Sequence, residues 1–102
     1  MSYHPAVVLF DHVKTHGELF ADVQRSYGTL DAYYHSGAFS IDQAKALLAS
    51  NAKSAARHMV ANTPTSRNID EVRRTFRSRD VQDACASMLL YEYVKGKRDE
   101  QH

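Results

Sequence analysis

A chain of 102 residues that is 43% hydrophobic and 25% charged has room for one hydrophobic core and the composition of a folded domain, which excludes a two-core architecture and a disordered chain. The formal net charge is +1, but residues 1–40 and 80–102 each carry −2 while residues 41–79 carry +5, so a surface for anionic partners belongs to the middle of the chain. One cysteine, no signal-like N-terminal stretch and no apolar run near the roughly 20 residues of a bilayer span exclude a disulfide scaffold and an integral membrane helix, and set a cytoplasmic expectation.

Pro5 suits the first position of a helix, and the first element is read as a helix from Pro5 to Lys14. The five apolar residues Ala6–Phe10 also admit a buried strand, because they show no helical period. Thr15 and Glu18 stand at capping-box spacing, which starts a second helix near His16. Phe20, Val23 and Tyr27 form its apolar stripe and Gly28 is the expected stop, with a further turn or two over Thr29–His35 before Gly37.

Ser40 and Gln43 repeat the capping pattern and open the clearest helix, which runs to Ala61 ahead of Asn62-Thr63-Pro64. Its core stripe is Ile41, Ala44, Leu48, Ala52, Ala55 and Met59, with Lys53 and Arg57 on the opposite side. Thr63 to Arg67 reads as a loop, and Asn68 with Glu71 caps a short helix whose apolar residues are Ile69, Val72 and Phe76. Extending that stripe would bury Arg79, Asp80 and Asp83, so the register must break. A new helix capped by Ser78 or Asp80 carries Val81, Ala84, Cys85, Met88 and Leu89 to about Lys95; Gly96 stops it, leaving residues 96–102 as a frayed tail. The expected fold is all-α, a compact bundle of four to six short helices forming a single domain over residues 1–102.

His12 and His16 have the i,i+4 spacing of a metal-chelating pair, but Gly17 and the Thr15 cap argue against one helix under both, and Asp11 or His35 would have to supply a third ligand. Cys85 with His58 is a conceivable nucleophile and base, yet Cys85 lies on an apolar stripe where cysteine usually acts as a small hydrophobe. With no phosphate loop, CxxC pair, HExxH motif or nucleophile elbow, no catalytic residue, cofactor or metal is assigned and an enzyme is not expected.

Arg67, Arg73, Arg74, Arg77 and Arg79 place five arginines within thirteen positions. Asp70 and Glu71 at the start of that helix and arginines at its end also suit the helix dipole, with Asp70 and Arg74 spaced for an ion pair, so a solvated face is the plain alternative. Six tyrosines cannot all enter one small core, and Tyr33, Tyr34, Tyr91 and Tyr93 are candidates for an interface. The partner-binding set is therefore Arg73, Arg74, Arg77, Arg79, Lys53 and Arg57 with those four tyrosines. The expected function is a non-catalytic module that binds another protein, as a small regulator or inhibitor. The alternative is a nucleic-acid-binding protein that uses the basic 41–79 segment, with a helix-turn-helix reading of Ser40 to Arg77 weakened by its long connection. A homodimer formed through Ala6–Phe10 or the Tyr91/Tyr93 face is a further expectation.

Overall fold

The computed structural model describes residues 4–64 and 68–100, and contains five helices and no strand among them. They are α1 (Pro5–Thr15), α2 (Gly17–Ser36), α3 (Ile41–Asn62), α4 (Ile69–Phe76) and α5 (Arg79–Glu100). Helix thus takes well over half of the chain, as the capping and periodicity signals require. Part of the expected 63–67 loop, with Arg67, lies outside the described residues, as do Tyr3 and residues 101–102.

The apolar run at the start is helical. Pro5 stands in the first turn, and the His4 imidazole caps it by accepting the Ala6 N–H at 3.1 Å. Ala6, Leu9 and Val13 recur at spacings of three and four and are buried, which answers the missing period: Val7 and Phe10 are only half-buried and Val8 is exposed.

Three expected boundaries move. Thr15 does not cap α2; its hydroxyl donates back to the Asp11 carbonyl at 2.9 Å and closes α1, while His16 takes the N-cap position of α2. Gly28 does not end α2, which continues to Ser36 and stops at Gly37, whose φ of 79° is the left-handed conformation that a helix C-terminus uses. Gly96 does not end α5 either, because its backbone stays helical, and the turn beyond it carries Lys97, which donates to Asp31 at 2.7 Å and fastens this segment to α2.

The Ser40 cap forms as expected, its hydroxyl accepting the Gln43 N–H at 3.4 Å, and the break between α4 and α5 falls at Arg77–Ser78. On α3 the buried face is Ala44, Leu48, Ala52, Ala55, Ala56 and Val60, with Met59 half-buried. Ile41 has the right angular position for that stripe yet is 65% exposed, because the first turn of α3 borders an open pocket instead of a packed helix.

Helix α3 touches each of the other four, and α1 does too, so these two form the middle of the bundle. Four alanines on the buried face of α3 let neighbouring backbones approach closely, which is why α5 packs most extensively there. One apolar cluster draws Leu9, Val23, Leu30, Leu48, Cys85 and Leu89 from four helices; α4 adds no fully buried residue and leans on it through Phe76. Polar ties fix α2 from both sides: Asn51 donates to the Ser26 hydroxyl at 2.6 Å, and the Tyr27 hydroxyl donates to the Leu89 carbonyl at 2.8 Å. The bundle is elongated, 49 × 23 × 23 Å, and its radius of gyration of 14.5 Å exceeds the ~13 Å of a round domain of this length. No described helix is long and apolar enough to cross a membrane.

Candidate interaction groove

The basic middle of the sequence folds into one concave surface. Along α3, Lys45, Lys53 and Arg57 are spaced by eight and four residues, so their side chains leave the same side of the helix. Arg77 and Arg79 face them from the α4–α5 junction, and the five cations border an open groove of about 960 Å³. Its floor is built from Ala46, Ala49 and Ala56 with Ser50. A side depression of about 310 Å³ continues past Arg57 and Arg77 to Arg73 and the α3–α4 connection.

All five cations are exposed, and among the described residues none of them forms an ion pair. Elsewhere Lys14 pairs with Glu92, Arg25 with Asp22, Arg73 with Asp70 and Lys97 with Asp31, while Arg74, Lys95 and Arg98 are also unpaired among the described residues, so what sets the five apart is that they converge on one groove. Asp42 and Asp83 line the same groove without coming within ion-pairing distance, so the local charge stays positive. Arg79 is also the first residue of α5, where the helix dipole disfavours a cation.

The structure therefore brings together Lys53, Arg57, Arg77 and Arg79 from the sequence-derived set, with Arg73 at the margin. Arg74 is exposed but lines neither depression, and the ion pair of α4 joins Asp70 to Arg73, at 3.8 Å, instead of to Arg74. Lys45 was missed, although its spacing from Lys53 and Arg57 carried the signal. The tyrosines divide. Tyr33, Tyr34 and Tyr91 are exposed, at 43%, 49% and 66%, but none lies in the basic groove. Tyr93 corrects the expectation of a surface aromatic: it is 6% exposed, donates its hydroxyl to Asp31 at 2.6 Å and has its pKa pushed up to about 12 by burial and by that carboxylate. Asp31 is held below the usual carboxylate range, first by the Lys97 hydrogen bond and then by Tyr93.

The reactive-group candidates separate as well. Cys85 is fully buried, and burial pushes its thiol up to about 12, so almost none is thiolate at neutral pH. His58 instead turns toward α1: His12 Nε2 and His58 Nδ1 lie 3.0 Å apart, and the His16 ring stands 4.0 Å from that of His58, edge-on. The pair expected from spacing, His12 and His16, thus gains its third imidazole from α3, not from Asp11 or His35, and nothing local in the sequence announces that contact. Among the described residues no three such side chains are arranged around one metal ion.

Comparison with known protein families, with curated proteins and with solved structures gives no match for this chain.

Proposed function

We propose that this protein is a non-catalytic interaction module that binds an acidic face of another protein through the groove between α3 and the start of α5, acting on that partner as a small regulator or inhibitor. The supporting observation is five exposed cations that converge on one groove with a floor of alanines and form no ion pair among the described residues. Convergent cations repel one another, so an anionic partner relieves a strain that an ordinary solvated face does not carry. The floor favours a protein over nucleic acid. Phosphates would satisfy the arginines but leave the alanines wet, and among the described residues that line the groove there is no aromatic ring on which a base could stack. A cytoplasmic setting belongs to the same reading, supported by the single free cysteine.

The test is affinity capture from cells with and without nuclease, repeated with Lys53→Glu/Arg57→Glu, together with direct titration of generic duplex and single-stranded nucleic acid. We expect a nuclease-resistant protein partner that the double variant loses, and no appreciable nucleic-acid affinity at about 0.15 M salt. Micromolar or tighter binding to generic DNA or RNA at that salt, abolished in the variant, would reverse the assignment.

A further inference from the structure

A second depression of different chemistry lies against the same two helices. Beyond Asp42 the seam between α3 and α5 opens into an apolar pocket of about 340 Å³, walled by Tyr34, Phe39, Ile41, Leu90 and Val94, with Arg98 at its rim. Both depressions are walled by α3 and α5, though no residue lines both. On α5, Arg79, Asp83, Leu90 and Val94 follow at intervals of four, seven and four and present one continuous strip that borders both depressions, while on α3 the basic groove begins at Asp42 and the pocket takes Ile41, one residue before it. From Arg79 to Val94 the α5 strip is about 22 Å long, at 1.5 Å per residue.

Resting on the function proposed above, we infer that the seam takes a single amphipathic α-helix of a protein partner. An aromatic or branched aliphatic side chain enters the pocket beside Ile41, and carboxylates run along the cations. Two observations select this occupant. The apolar pocket exposes large hydrophobic groups, Ile41 at 65% and Tyr34 at 49%, that a polyanion without apolar side chains would leave in water. The cations of α3 line one groove from Lys45 to Arg57, about 18 Å at 1.5 Å per residue, a length along which a partner helix lying in the seam can set carboxylates on successive turns. The small side chains of Ala46, Ala49 and Ser50 leave room for that helix to lie close. Anchor and charges then have separate tasks: the buried side chain resists dissociation, and the carboxylates steer and orient the approach.

The experiment uses the full-length protein as bait for a display library of random peptides of about 20 residues, long enough as a helix to span the seam. Recovered peptides should be rich in Asp and Glu, with one aromatic or large aliphatic residue toward one end. Ile41→Asp should weaken them about tenfold or more at both about 0.15 M and about 0.5 M salt. That variant keeps its fold, because Ile41 is exposed and an acidic residue suits the first turn of a helix; circular dichroism checks this. Lys53→Glu/Arg57→Glu should weaken binding about as much at the lower salt and clearly less at the higher. Acidic peptides indifferent to Ile41→Asp would overturn the two-part seam while leaving the basic groove as the binding surface. Recovery of no binders, or of peptides without carboxylates, overturns the inference, and so does a dimer of this chain in sedimentation that Ile41→Asp dissolves. Binding of generic nucleic acid in the parallel titration is the separate result that removes the underlying function.

Discussion

His58 stands 46 residues from His12 in the chain and 3.0 Å from it across the α1–α3 contact. A hydrogen bond between two imidazoles needs one nitrogen to accept, so the pair is stable with at most one proton beyond neutrality. Burial first, then the neighbouring charges of His58 and His16, lower the His12 pKa below its ordinary value of 6.5. No carboxylate forms an ion pair with any of the three rings among the described residues, and the His16 Nδ1 is buried without a hydrogen-bond partner there. The sign follows from linkage. Above pH 6.5 the folded and unfolded states are both neutral at His12; below it the unfolded chain binds the proton more readily, so stability falls as the pH drops and levels off below the folded-state pKa. Urea unfolding should therefore show a lower midpoint at about pH 5.5 than at about pH 7.5, a window well above that in which Asp31 titrates, and His12→Asn should flatten the difference. Equal pH dependence in the two proteins would mean that the cluster tolerates its charge. The spacing of His12 and His16 is legible in the sequence. The ring that completes the group is not, because a contact across two helices leaves no local pattern.

Helix α2 shows what punctuation in a sequence can and cannot decide. Gly28 and Gly37 look alike as stop signals, but only Gly37 occupies the left-handed region, at φ 79°. Gly28 lies eight residues before the end of α2, and a Cβ added there meets nothing within 4 Å. What carries α2 past it is tertiary: Tyr27, Leu30 and Asp31 all engage the core or α5, so the backbone gains more by staying helical than glycine loses by being fixed. Alanine should therefore act with opposite sign at the two positions. Gly28→Ala should raise stability by about 0.5–1 kcal/mol in urea titration, and Gly37→Ala should lower it by about 1–2 kcal/mol. A destabilising Gly28→Ala would show that α2 is broken there in solution. The α3 cap, by contrast, was readable because a serine and the N–H three residues on are a local device. Ile41 misled for the same reason that α2 did, since periodicity reports the face of a helix and says nothing of whether another element covers it.

The unequal charge of the three segments is a property of the sequence, but its concentration is a product of the fold. Residues 41–79 carry +5, and folding lays three of their cations along α3 opposite two at the α4–α5 junction, while the acidic residues of that segment either pair locally, as Asp70 does with Arg73, or stay short of ion-pairing distance. Like charges gathered around one groove repel, and the two carboxylates that line it, Asp42 and Asp83, form no ion pair with them among the described residues. The bundle must be stable without these side chains, because its core is apolar and the cations sit entirely on its surface. Two consequences can be measured together. The melting temperature of the wild-type chain should rise between about 0.05 M and about 0.5 M sodium chloride, as screening relieves the repulsion. The triple variant Lys53→Gln/Arg57→Gln/Arg79→Gln should melt at or above the wild-type temperature and respond less to salt, with Arg79 adding a small gain because glutamine removes a cation from a helix N-terminus. Neutral or higher stability combined with lost partner binding is the pattern of residues kept for recognition at a cost to the fold. A variant that melts several degrees lower would instead make the cations part of what holds α3 against α5, and the groove would lose its claim as a binding surface.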